Sequence, residues 1–96
     1  MAKVNYSDLA KRDLAEIWLY IANDSPKNAR SFIEYIENKC LMLAQLPRIG
    51  REYPELANGL FGFPIKNYMV FYNIADDGIV IARVLNAKRD IPALFD

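Results

Sequence analysis

Between Gly59 and Leu85 the chain reads GLFGFPIKNYMVFYNIADDGIVIARVL. The turn signals Pro64-Ile65-Lys66-Asn67 and Asp76-Asp77-Gly78 cut this stretch into apolar runs rich in Ile, Val, Tyr and Phe, the pattern of antiparallel strands. These runs are apolar on both faces. At period two, Tyr68, Val70, Tyr72 and Ile74 point one way while Met69 and Phe71 point the other. In the last run, Ile79, Ile81, Arg83 and Leu85 share one face, and Val80, Ala82 and Val84 share its opposite. A single helical layer covers only one side of a sheet. The expectation is therefore a helical hairpin over the Val80, Ala82 and Val84 face, with a partner molecule over the face carrying Ile81, Arg83 and Leu85.

The segments before this stretch supply the helical layer. Val4 and Tyr6 mark a short edge strand, and Ser7 is a helix N-cap followed by Asp8, which suits the positive helix end. Ala10, Leu14, Ile17, Trp18 and Ile21 then form one apolar stripe, which predicts a helix from about Ser7 to Asn23. Asp8, Arg12 and Glu16 lie on the solvated side. Asn23-Asp24-Ser25-Pro26 breaks the chain, with Ser25 capping a second helix and Pro26 at its first position. Ala29, Phe32, Ile33, Ile36, Cys40 and Leu43 face inward. From Leu41 to Leu46 that helix is apolar almost all round, which implies a cover on more than one side. Pro47 ends it. Pro47 to Asn58 reads as an irregular loop carrying Arg48 and Arg51, and its length in so small a domain suggests a function. Asp77-Gly78 signals a tight turn of the I′ type. Residues 86–96 leave the sheet and tuck Ile91, Leu94 and Phe95 back. The fold class is α+β, in the order β-α-α-β-β-β: a helical hairpin on one face of a small twisted antiparallel sheet, closed by a short C-terminal turn or helix.

Composition narrows the function. A chain of 96 residues predicts one domain, 1–96. Twelve Lys and Arg balance twelve Asp and Glu, which argues against coating a phosphate backbone; a local basic cluster stays compatible with that sum. The chain has no histidine and a single cysteine, so neither a zinc site of the usual kind nor an internal disulfide is expected. No metal and no cofactor are expected. Cys40 on an apolar helix face reads as a small buried hydrophobe. With no membrane span and no signal-like apolar core near the start, a cytoplasmic protein is expected.

Several of these features, in order and in spacing, resemble the ParE branch of the RelE/ParE superfamily, the toxins of type II toxin-antitoxin pairs, also called plasmid stabilisation proteins. The residues that carry it are Asp13 to Ala22, Ser25-Pro26, Leu43-Ala44-Gln45-Leu46-Pro47, Gly50-Arg51 and Tyr53-Pro54-Glu55-Leu56. They continue with Phe63-Pro64, Asn67-Tyr68, Phe71-Tyr72, Asp77-Gly78-Ile79, Arg83-Val84-Leu85 and Arg89-Asp90-Ile91. The resemblance covers nearly the whole chain. It implies a helical hairpin over a twisted sheet and a small antitoxin, similar to ParD, that wraps the toxin into a hetero-oligomer. For ParE relatives it implies poisoning of DNA gyrase, and for RelE relatives cleavage of mRNA on the ribosome. Two positions depart from the family pattern: Phe61 stands where an Arg is usual, and Asn86 where a His is frequent.

RNA cleavage needs a base, an acid and a positive charge at the crowded phosphate. Without histidine those roles would fall to Lys66, Tyr68 and Arg83, to Tyr72, or to Arg48 and Arg51 of the loop. A lysine or tyrosine base would need a strongly shifted pKa. Contact with protein partners would instead use Phe61, Ile81, Arg83, Leu85 and Arg89, with Leu41 and Met42 of the second helix. Arg83 and Arg89 each have a plain structural reading as well: Arg83 in an ion pair with Asp90 or an acidic residue of the first helix, and Arg89 capping the C-terminal segment or pairing with Asp90. The residues favour contact over catalysis, and together with the resemblance this implies a non-enzymatic toxin that acts on DNA gyrase by contact. Neither sequence-specific nucleic-acid contact nor a membrane partner is expected. An RNA-cleaving toxin, or a decayed relative that binds only its antitoxin, are the alternatives.

Overall fold

The computed structural model describes residues 2–95. Helix α1 spans Asp8–Ala22, and the Ser7 hydroxyl accepts from the Ala10 amide at 3.0 Å, satisfying one of the free donors of the first turn. Helix α2 spans Pro26–Gln45 and starts the same way, with the Ser25 hydroxyl accepting from the Asn28 amide at 3.2 Å. Ala29, Ile36, Cys40, Leu43 and Ala44 form its buried face. The proline at 47 converts the continuation into a 3-10 turn, Pro47–Ile49. There the Tyr72 hydroxyl donates to the Pro47 carbonyl at 2.7 Å and ties the helix end to the sheet.

The strands are β1 (Lys3–Tyr6), β2 (Arg51–Glu52), β3 (Leu60–Ile65), β4 (Tyr68–Ala75) and β5 (Gly78–Asn86), in spatial order β1-β5-β4-β3-β2. Two features differ from the expected sheet. The loop after α2 contributes the two-residue strand β2, and β1 runs parallel to β5 while the other pairs are antiparallel. The turn between β4 and β5 also differs. Ala75 pairs with Gly78, so Asp76 and Asp77 are its central residues, and neither has the positive φ that an I′ turn requires. Gly78 serves the parallel pair instead: opposite Lys3, a side chain there would overlap the Lys3 carbonyl.

The strict alternation expected along β5 fails at one residue. Tyr72 pairs with Ile81 and Phe71 with Arg83, leaving Ala82 as an unpaired bulge. Ile79 and Ile81 therefore face the helices before the bulge, and Val84 faces them after it; all three lie in the core beneath α1 and α2. Leu85 turns to the opposite side. The proposed division into a Val80, Ala82 and Val84 face under the helices and an open face with Ile81 is thus corrected, because a one-residue insertion inverts the phase of everything beyond it.

At the same place the helix takes over the edge of β5. The Ser7 amide donates to the Ile81 carbonyl at 2.9 Å, and the Ser7 hydroxyl to the Ala82 carbonyl at 2.8 Å. The Asp13 carboxylate then accepts from the Val84 amide at 2.9 Å, and from Arg83 Nε and Nη2 at 2.8 and 3.0 Å. Only 8% of the Asp13 side chain and 15% of the Arg83 side chain are exposed. Asp13 occupies the buried stripe between Ala10 and Ile17, so a carboxylate within an apolar face is the sequence signal for this contact.

The second face of the sheet is covered by the chain itself. Leu60, Phe71 and Leu85 lie under Tyr53 and Leu56 of the loop and under Ile91, Leu94 and Phe95 at the short helix α3 (Ile91–Leu94). Phe71 takes edge-on contacts from both sides, Tyr53 at 5.5 Å and Phe95 at 5.1 Å between ring centroids. The layer assigned to a partner is therefore supplied internally. The inward tuck of Ile91, Leu94 and Phe95 is as the sequence implied.

Two outcomes follow from this packing. Asp13→Ala leaves a nearly buried guanidinium and the Val84 amide unmet, and should lower unfolding free energy by about 3 kcal/mol in urea titration. Phe95→Ala should cost about 2 kcal/mol, since the ring is only partly buried, and should raise binding of a hydrophobic dye as Phe71 and Leu85 become exposed.

Candidate functional site

The residues expected to serve catalysis or contact fall into three groups. Phe61, Ile81 and Leu85 are interior. Ile81 is fully buried under the helices, Leu85 is 1% exposed on the second face, and Phe61 is 5% exposed in the helix-side core. Phe61 stacks on Tyr72 with ring centroids 5.6 Å apart and planes 21° apart. It is not on an open face, and its apolar character completes the main core. Arg83 is held in both directions by Asp13, and those hydrogen bonds raise its pKa further.

A second group lines a cleft of about 160 Å³ where α1 passes the end of β5. Glu16 and Tyr20 come from the helix, Tyr68 and Asn86 from the paired ends of β4 and β5, and Arg89 from the segment that follows. Tyr68 is partly buried, with its ring 5.6 Å from that of Phe32. Burial, then the neighbouring Tyr20, pushes its hydroxyl pKa up. At neutral pH Tyr68 can donate a hydrogen bond but does not serve as a base. Lys66 is outside this cleft. It sits at the β3–β4 turn in a left-handed conformation (φ 57°), with its ammonium 5.1 Å from the centre of the Tyr35 ring. The three ribonuclease candidates Lys66, Tyr68 and Arg83 are thus turned to three different tasks.

The third group is on the outside. Leu41 is 53% exposed near the end of α2, and Leu46 and Ile49 are comparably open just beyond it. Met42 is partly buried against the core. Leu19 and Tyr20 project from α1, and Trp18, expected in the buried stripe, is 39% exposed beside Pro26, Lys27 and Arg30. Arg48 and Arg51 are exposed, with the Arg51 guanidinium lying over the Tyr53 ring at 4.6 Å. Several large apolar side chains on the helices and the turn after α2 are thus left in water.

Cys40 is fully buried, and burial pushes its thiol up to about 11, so it packs and does not react. Among the described residues no three His, Cys, Asp or Glu side chains gather to hold a metal ion, and no helix is long and apolar enough to cross a membrane.

This arrangement matches known proteins along nearly its whole length. Residues 4–91 match the model of the ParE toxin of the type II toxin-antitoxin system, parDE. Toxin ParE3 of Caulobacter vibrioides is 30% identical over 86 residues, covering 90% of this chain and 80% of that protein. Toxin RelE3 of the same organism is 29% identical over 85 residues, covering 88% and 92%. Among solved structures, the chromosomal ParDE system from P. aeruginosa superposes with a TM-score of 0.73 at 19% identity, over 90% of this chain and 96% of that one. The toxin-antitoxin complex RelBE2 from Mycobacterium tuberculosis gives 0.63 at 24% identity, over 88% and 96%. The helical hairpin, the five-stranded sheet and the sequence that builds them place this chain in the ParE toxin family of type II toxin-antitoxin systems.

Proposed function

We propose that this toxin acts by protein-protein contact on DNA gyrase, and that a ParD-like antitoxin neutralises it in a hetero-oligomer in the cytoplasm. The observation that carries this reading is the commitment of Arg83. This arginine, one of the ribonuclease candidates, is bound by Asp13 through two hydrogen bonds, and it cannot reach a phosphate without breaking a nearly buried pair. The other candidates do not compensate: Tyr68 keeps its proton, and Lys66 is engaged with Tyr35 at a hairpin tip. The exposed apolar residues Leu41, Leu46 and Ile49 suit a protein partner better than a nucleic acid, and agree with a chain of zero net charge. Arg89, Arg48 and Arg51 remain as charged contacts around these surfaces.

RNA cleavage is the second reading. What favours it is the cleft that brings Arg89, Glu16, Tyr20 and Tyr68 together, with a cation and donors at one end of the sheet. A toxin that has lost activity and only binds its antitoxin is the third.

Purified toxin incubated with gyrase, ATP and supercoiled plasmid should accumulate linear DNA, while ribosome-bound mRNA stays intact. Cut mRNA with gyrase untouched would overturn the contact reading. In that case Arg89→Ala should reduce cleavage by about a hundredfold, the scale of a lost phosphate-stabilising charge. Growth arrest on expression, relieved by co-expression of the short neighbouring reading frame that this proposal expects, separates an active toxin from a decayed one.

A further inference from the structure

Trp18 is turned away from the interior that its neighbour fills. Ile17 is 6% exposed and belongs to the core. One residue further along α1 the side chain leaves the helix roughly 100° round, and the indole is 39% exposed. It opens into a cavity of about 360 Å³ whose other walls are Pro26, Lys27 and Arg30, at the start of α2. Clefts that hold small ligands span roughly 300–1,000 Å³.

The walls select the chemistry of an occupant. Lys27 and Arg30, three apart on α2, share one side of that helix and set two positive charges beside the indole. No carboxylate lines the cavity. Among the described residues neither cation joins an ion pair, the pairs there being Lys3 with Asp77 and Arg83 with Asp13. Trp18 and Pro26 supply the apolar rings. A fitting ligand has a flat unsaturated ring to lie against the indole and a negative group within reach of both cations. Aliphatic side chains of a partner helix offer neither. A nucleotide offers both.

We propose that this cavity is a stacking site for one nucleotide of a single-stranded nucleic acid, with the base against Trp18 and the adjoining phosphates against Lys27 and Arg30. The source is a strand because the four lining side chains are all exposed. Stacking and two solvated charges hold a monomer weakly, whereas a polymer keeps neighbouring phosphates close by. Every base has a π-face, so the site is tolerant of sequence. A duplex keeps its bases stacked on one another and offers Trp18 no ring. Zero net charge is no obstacle, since the attraction is local to one pair of cations. The cavity shares no lining residue with the cleft at the end of β5, and the inference is independent of whether gyrase or the ribosome is the target.

Trp18 is the only tryptophan of the chain, so its fluorescence reports the site directly. A short oligo(dA) or oligo(rA), added to the full chain at low salt, should quench that emission saturably. Quenching by either strand supports the site. AMP and a duplex of the same length should each bind at least about tenfold more weakly, and inorganic phosphate alone should not quench. Two phosphate contacts predict a slope of about −1.4 for log affinity against log salt. Followed by anisotropy of an end-labelled strand, Trp18→Ala should weaken binding about tenfold or more, and Trp18→Phe should recover part of the loss. Lys27→Gln with Arg30→Gln should weaken it as much and flatten the salt slope, with the melting temperature unchanged. The proposal is overturned if no strand quenches Trp18, if the double substitution leaves affinity intact, or if the duplex binds as well as the strand. AMP binding as tightly as the strand would make a free nucleotide the ligand, and equal competition by an acidic peptide carrying tyrosine would make it a protein; each result overturns the assignment.

Discussion

Everything in this fold passes through the contact of Asp13 with β5. Strand β1 is too short to satisfy the whole edge of β5, and beyond Ile81 that edge would have open amides and carbonyls in a nearly buried place. Ser7 and Asp13 fill the gap in sequence, first with backbone, then hydroxyl, then carboxylate. The carboxylate would be costly there alone. Arg83, displaced by the adjacent bulge, supplies the compensating charge through a paired contact. The bulge, the ion pair and the helix start are therefore one arrangement. It fixes how the helical hairpin lies across the sheet, and so fixes which side chains of α2 remain outside.

The two sheet faces are closed by different means. The helix side is a dense core of Ile, Val, Leu and Cys joined by the stacked Phe61 and Tyr72. The other side is a thin cover of loop and C-terminal turn, organised around Phe71. Much of the surplus apolar surface in the strands is consumed by this second cover. What stays exposed lies on the helices and the turn after them, at Leu19, Leu41, Leu46 and Ile49. The apolar side chains left in water thus belong to the helical layer and the turn after it, and both sheet faces are packed interior.

Much of the fold was legible in the sequence because its signals are local. Ser7, Ser25-Pro26 and Pro47 each act on the backbone within one turn, and each does what its chemistry implies. The helix stripes and strand runs follow from short periodicities. The errors come from effects that a linear pattern does not carry. A bulge at Ala82 looks like any other strand residue, yet it brings Ile81 onto the same face as Val84. The parallel pairing of β1 with β5 depends on where the chain returns after the hairpin. The site was less legible for related reasons: the count in twos that put Ile81 on an open face broke at the bulge, Leu85 lies on the counted face but beneath the chain's own cover, and Phe61, placed by family resemblance, is interior. Asp13 was readable, as the one carboxylate inside the stripe of Ala10, Leu14 and Ile17, but its partner lies 70 positions along the chain.

The distance between those partners has a consequence for synthesis. Lys3 pairs with Gly78, and Asp13 with Arg83, so the first strand and first helix are completed by the last strand. On the ribosome the hairpin emerges with its apolar stripes uncovered, and it has no sheet to settle on until β5 clears the exit tunnel. Contacts of such sequence separation form late and slowly. A nascent toxin is in that interval an unfinished molecule with its sticky surfaces outward. The finished structure is withheld until the strand that ends at Asn86 has been made.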